Sequence, residues 1–177
     1  MEDRVLSTFL QCQYDEATEL ANSSDILDLY PLDGPPTQHY RAEFHCKGLV
    51  READGKIVEA GHFAVGIWLH DDYLRTAVPA RVLTWLGPAN VYHANILGEG
   101  PGAGAICAGP IPPGTRLRDV LYQVYEIISY QKVTMREDDA LNHDACQWAR
   151  HNLDRFPLDR RPLRRRRLDL RVEANED

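Results

Sequence analysis

The residue best placed to do covalent chemistry in this chain is Cys107. It closes the run Gly98-Glu-Gly-Pro-Gly-Ala-Gly-Ala-Ile-Cys107 and is followed by Ala108-Gly109-Pro110. A nucleophilic cysteine needs access and some thiolate character. Small neighbours leave its sulfur approachable by a large macromolecular partner. The other cysteines, Cys12, Cys46 and Cys146, are widely spaced with no C-x-x-C pair. They read as small buried hydrophobes. With no basic n-region or apolar h-region at the start, the pattern predicts reduced thiols in the cytoplasm.

Three further groups surround this cysteine in sequence. Asn95, twelve residues upstream, carries a fixed amide that could stabilise negative charge on a carbonyl oxygen during acyl transfer. The same side chain could instead brace its own loop through backbone hydrogen bonds. His93 invites a Cys–His dyad, but a strong base beside the sulfur favours attack by water. Its other reading, a residue that hydrogen-bonds backbone and shapes the loop, is preferred over the base. Asp138 and Asp139 could cap a helix starting at Ala140. Alternatively one of them, Asp139 before Asp138, orients an incoming amine and draws off its proton.

Other chemistries fit less well. The glycine-rich run lacks a G-K-[ST] ending, contains Pro101 and Glu99, and does not open into a helix, so it is not a phosphate loop. His143, Cys146 and His151 would fan across about 140° of a helix, and no standard zinc spacing appears. The expectation is no metal. Of 20 basic and 27 acidic residues, 7 and 4 fall within residues 160–177, leaving 13 and 23 in the body. An acidic body argues against nucleic-acid binding, which needs clustered cations. No run of about 18 apolar residues exists, so no membrane span is expected.

The elements that must position these residues follow from periodicity. Residues 4–22 read as a helix, with Val5, Leu6, Phe9, Leu10, Tyr14, Ala17, Leu20 and Ala21 on one stripe. Residues 38–51 alternate, with Tyr40, Ala42, Phe44 and Cys46 on one face. An Asp54-Gly55 turn leads to a second strand over 57–70, with Phe63, Val65, Ile67 and Leu69 on one face. Residues 81–86 form a further strand, and an antiparallel meander of about four strands is the simplest layout. Thr115 is the expected N-cap of a helix burying Leu117, Val120, Leu121, Val124, Tyr125 and Ile128. A last helix spans 140–153. The prediction is an α+β domain over residues 1–159, with a flexible, arginine-rich then acidic tail over 160–177.

Val91-Tyr92-His93-Ala94-Asn95-Ile96 and Gly104-Ala105-Ile106-Cys107, followed by a crossing helix and Asp138-Asp139-Ala140-Leu141, resemble the active-site pattern of the ubiquitin-conjugating enzyme superfamily. The likeness covers about residues 4–156 and is nearest to bacterial members. It implies the family's fold: an N-terminal helix, an antiparallel meander, an active-site loop and C-terminal helices. It also implies that Cys107 accepts a ubiquitin-like modifier protein from an activating enzyme as a thioester and passes it to an amine of a target protein. By the same resemblance Asn95 supports the oxyanion, Asp139 prepares the amine and the outer face of the 116–129 helix receives the modifier. No cofactor is implied. Bacterial relatives point to conjugation operons with antiphage roles.

Four features depart from the family. Ala94 stands where the family has proline, and the Asn95–Cys107 separation is long, which predicts a flexible glycine flap. No tryptophan follows Cys107, and the first helix is acidic rather than basic. Two other classes compete with a conjugating enzyme: a non-catalytic scaffold of the same fold, and a cysteine hydrolase using Cys107 with His93.

Overall fold

The structure, a computed structural model, describes residues 4–165. The first helix, α1 (Arg4–Asn22), has the boundaries its apolar spacing predicts. Leu10, Ala17 and Leu20 are buried, and Leu6, Phe9, Tyr14 and Ala21 lie partly against the core. Val5 departs from the stripe and is 70% exposed in the first turn. Gln13, a polar residue, is buried in its place.

Six strands follow: β1 (Leu27–Pro31), β2 (His39–Phe44), β3 (Gly48–Arg51), β4 (Ile57–Ala60), β5 (Phe63–Trp68) and β6 (Leu83–Gly87). Four of them make one antiparallel sheet in the order β1-β2-β5-β6. The predicted inward face is correct: Tyr40, Ala42, Phe44, Phe63, Val65 and Ile67 are all buried. The protein is therefore α+β, with an N-terminal helix, a four-stranded antiparallel sheet and further helices.

Three boundaries differ from expectation, each for a local reason. Strand β1 is an edge strand with Leu27 as its one buried residue, too little alternation to read from sequence. The long strands expected over 38–51 and 57–70 are each broken. Phe44 pairs with Phe63 and Gly48 pairs with Ala60, so three residues on one side face two on the other. This bulge-like offset turns β3 and β4 into a separate hairpin. A Cβ at Gly48 would stand 2.6 Å from the Phe63 ring, so only glycine lets the chain turn this close to the core. Finally, Pro79 opens a helical turn, α2 (Pro79–Val82), which delays β6 to Leu83.

Helix α3 (Leu117–Ile128) lies against α1 and buries the face predicted for it. Its N-terminus is not capped by Thr115, whose hydroxyl donates to the Pro112 carbonyl. The Leu117 N–H instead donates to Gln13 Oε1 of α1 at 2.8 Å. Helix α4 (His143–Arg150) is shorter than the predicted 140–153, because Asn142 caps it by accepting from the Ala145 N–H at 3.0 Å. No described helix is long and apolar enough to cross a membrane.

Residues 160–165 do not form the free tail expected there. Leu163 is buried at 1% exposure, and the Tyr125 hydroxyl donates to the Arg161 carbonyl. Arg164 pairs with Glu19 at 2.7 Å and Arg165 with Asp25 at 2.6 Å. Leucine and arginine in this segment thus find partners on α3, on Glu19 of α1 and on Asp25 just after it. The remainder of the predicted tail, 166–177, and the acidic start at Glu2 and Asp3 lie outside the described residues.

Candidate functional site

The site is built on a small hairpin, β7 (Ile96–Leu97) and β8 (Ala105–Ile106), which pairs Ile96 with Ile106 and Leu97 with Ala105. The glycine run is the turn of this hairpin rather than a free flap. Gly104 accepts from the Trp85 N–H and donates to the Leu97 carbonyl, both at 2.8 Å. It does so at φ 95°, a left-handed conformation open chiefly to glycine. At Gly98 a Cβ would stand 2.2 Å from the Ala89 carbonyl oxygen, so that position too requires glycine.

Continuing the β7–β8 register by one pair sets Asn95 opposite Cys107. The Cys107 N–H donates to the Asn95 carbonyl at 2.8 Å, and Asn95 Nδ2 donates to the Cys107 carbonyl at 2.9 Å. The same Nδ2 donates to Thr134 Oγ1 at 2.8 Å, and Asn95 Oδ1 accepts from the Thr134 N–H at 2.8 Å. Asn95 is only 4% exposed. Both amide protons and the amide oxygen are therefore committed to bracing two loops, the second of the two roles expected for this residue. To reach a developing oxyanion the amide would have to exchange one of these bonds.

Cys107 is part-exposed. Cys46 is fully buried, and burial, with Asp159 nearby, pushes its thiol up to about 12. Cys146 is also buried, with its S–H donating to the Thr134 carbonyl at 3.3 Å. Cys12, expected to be buried, is exposed on α1. Cys107 is thus the reachable cysteine within the loop cluster.

His93 lies beneath this loop at 1% exposure. Its Nδ1 accepts from the Asn95 N–H at 3.0 Å. The proton therefore sits on Nε2, which faces the Ile127 backbone without a well-formed hydrogen bond. Burial drives the ring down to about 3, so it stays neutral. Its one lone pair is occupied by the Asn95 N–H and cannot take a proton from Cys107. Tyr130 covers the ring at 4.2 Å between centroids and donates its hydroxyl to the Tyr92 carbonyl. Tyr130 holds this position with φ 59°, unusual for a non-glycine residue.

The segment from Lys132 to Asn142 wraps the other side of the loop. Lys132 Nζ donates to the Ala108 carbonyl at 3.2 Å, and the Leu141 N–H donates to the Ala94 carbonyl at 2.8 Å. Between these ties, Glu137–Asp139 form a single 3-10 turn. Asp138 and Asp139 do not cap α4. They are well exposed, and Arg136 reaches them at 3.9 and 3.6 Å respectively. The fold thus brings Cys107, Asn95 and Thr134 into one hydrogen-bonded cluster, with Lys132 on the adjoining Ala108 carbonyl and His93 accepting from the Asn95 N–H, while the acidic pair is engaged by Arg136. Thr134 and Lys132 were not singled out in the sequence. Their placement depends on a loop with no periodicity, so no local signal marks them.

The segment that wraps the loop carries charge of both signs, the Lys132 ammonium at the Ala108 carbonyl and the acidic pair with Arg136. The outer face of α3 is narrowed by the segment carrying Arg161, leaving Arg116, Tyr122 and Glu126 among its accessible residues. A groove of about 600 Å³ lies elsewhere, between Tyr14, Glu19 and Arg164. It is a charged seam left by docking of the C-terminal segment and touches none of the loop residues. Cys146 points to Thr134, while the His151 ring contacts the Gln147 carbonyl, so these two diverge. Among the described residues, the side chains that do converge as possible metal ligands are Glu43, His45 and His62, at the end of the β2–β5 ladder.

No protein-family model matches the chain, and no curated protein matches it significantly in sequence.

Proposed function

We propose that the protein is a ubiquitin-conjugating-type enzyme that carries a ubiquitin-like protein as a thioester on Cys107. The observation that carries this reading is the Asn95–Cys107 pair. A part-exposed cysteine is held at the end of a braced hairpin, opposite an asparagine, in a chain whose motifs resemble that superfamily. The order of N-terminal helix, four-stranded antiparallel sheet, cysteine loop and later helices is compatible with the family's fold.

In the proposed cycle the Cys107 thiolate attacks the thioester carbonyl of the charged activating enzyme. The new C–S bond forms as that enzyme's thiolate leaves. A target amine, most simply a lysine, then attacks the carbonyl. Its C–N bond forms, the Cys107 thiolate leaves, and the amine proton passes to a base. Asp139, exposed on its 3-10 turn, is accessible to an amine arriving at the loop, with Asp138 beside it. Asn95 acts first as a positioning residue. It contributes to the oxyanion if Nδ2 releases Thr134 Oγ1, one of the two partners it now shares. The neutral, occupied His93 suits a carrier, because it cannot act as a base that activates water at the sulfur. This counts against the hydrolase reading.

The proposal extends to cytoplasmic action in a bacterial antiphage conjugation pathway, with a modifier, an activating enzyme and a target as partners. The test is a charging assay with the modifier and activating enzyme from the same genome, plus ATP, resolved without reductant. A slower band that disappears with reductant and with Cys107→Ala is expected, and Cys107→Ser should give a reductant-resistant adduct. If the cognate partners charge another protein but not this one, the carrier reading fails. The non-catalytic scaffold then takes its place.

A further inference from the structure

We propose that Glu43, His45 and His62 form a binding site for a divalent transition-metal ion of the zinc class. Their donor atoms all lie within 4.8 Å of one another. The site is on the outward face of the sheet, independent of the Cys107 loop and of its proposed chemistry.

The register explains why these side chains meet. Glu43 is the penultimate residue of β2, and His45 follows two residues later, so both point away from the core while Phe44 and Cys46 point into it. His62 immediately precedes β5, whose Phe63 pairs with Phe44. His45 and His62 occupy the break where the β2–β5 ladder gives way to the β3–β4 hairpin. Their rings lie 5.2 Å apart between centroids.

The protonation pattern suits a cation. His45 Nε2 contacts Asp28 Oδ2 at 2.8 Å. A carboxylate only accepts, so Nε2 carries a proton, and in the neutral ring Nδ1 is the nitrogen with a lone pair to offer a cation. A carboxylate behind an imidazole is the usual outer partner of a metal-binding histidine. His62 Nε2 contacts Glu43 Oε2 at 3.1 Å. On binding, the His62 proton moves to its other ring nitrogen and the cation takes its place, so one hydrogen-bonded pair becomes two ligands. Arg41 pairs with Oε1 of Glu43 at 2.8 Å and leaves Oε2 to the cation. Two imidazoles and one carboxylate, with water completing the shell, match the donor set of zinc sites that keep an open position. Glu43 is 18% exposed and the two histidines about half exposed, which lets a hydrated ion enter. A cation here would tie the end of the main sheet to the strand break above it.

The test uses tag-free full-length protein and zinc sulfate, measured by calorimetry and by thermal unfolding. Cobalt(II) serves as a spectroscopic substitute. Saturable 1:1 binding with a raised Tm is expected, together with cobalt absorption of a low-coordinate N/O site. His45→Ala, His62→Ala and Glu43→Gln should each weaken binding about tenfold or more, since even outer-sphere changes cost that much. These positions are at the surface, so circular dichroism should report intact folds. Cys12→Ser with Cys107→Ser should bind zinc as the parent does. The proposal is overturned if binding is absent, if it survives in the His45→Ala, His62→Ala double variant, or if it vanishes with the two cysteines.

Discussion

Asn95 and Cys107 are cross-strand neighbours joined twice, by the Cys107 N–H to the Asn95 carbonyl at 2.8 Å and by Asn95 Nδ2 to the Cys107 carbonyl at 2.9 Å. The eleven residues between them are closed by the β7–β8 hairpin, so a long separation in sequence becomes direct contact in space. Replacing Asn95 by alanine leaves the Thr134 N–H and the Cys107 carbonyl without these partners. A loss of about 2–3 kcal/mol is expected from urea unfolding. A change within about 0.5 kcal/mol, typical of ordinary surface substitutions, would show that the brace contributes nothing.

Gln13 supplies the cap that α3 lacks within its own sequence. Gln13→Leu should cost about 1–2 kcal/mol by guanidinium unfolding, because a buried helix N–H loses its acceptor. Thr115→Ala should be close to neutral. The reverse ranking would restore Thr115 as the cap.

His93 makes stability depend on pH in a defined window. Its ring is pulled from 6.5 down to about 3 in the folded state by burial. Below pH 6.5 the unfolded chain takes up a proton that the folded chain refuses. Stability is therefore complete above 6.5 and falls as pH drops towards 3, by up to about 1.4 kcal/mol per pH unit. His93→Asn places an acceptor near Nδ1 without a titrating group and should flatten that slope. Parallel slopes for parent and variant, read from urea midpoints between pH 7 and pH 4, would refute the assignment.

Asp159 anchors the C-terminal segment. Burial works to raise its pKa, but the Arg161 side chain and the N–H groups of Arg161 and Lys47 outweigh it and hold the carboxyl at about 2. The folded value lies below the ordinary 3.8, so this stabilisation is present above 3.8 and fades as pH falls towards 2. Asp159→Asn should cost about 2 kcal/mol at neutral pH and speed trypsin cleavage after Arg160. An unchanged cleavage rate would mean that the segment is held without it.

The cysteines should separate by reactivity. Iodoacetamide on the native protein is expected to label Cys12 and Cys107, and to reach Cys46 and Cys146 only after unfolding. Rapid native labelling of Cys146 would show that α4 opens away from the Thr134 loop.

Periodicity by itself determined α1, the inward face of β2 and β5, and the buried face of α3. Each is a repeat of apolar residues that must be removed from water whatever the neighbours are. The site residues Cys107, Asn95 and His93 stood out by type and spacing. Their relations were decided only in three dimensions: the committed amide of Asn95, the occupied lone pair of His93, and the arrival of Thr134 and Lys132. So were the Gln13 cap, the docking of Leu163 and the meeting of Glu43, His45 and His62. The physical reason is common to all of them. Hydrogen bonds and ion pairs between distant segments leave no repeating trace along the chain, and a single-residue offset between two ladders redirects side chains that local alternation cannot place.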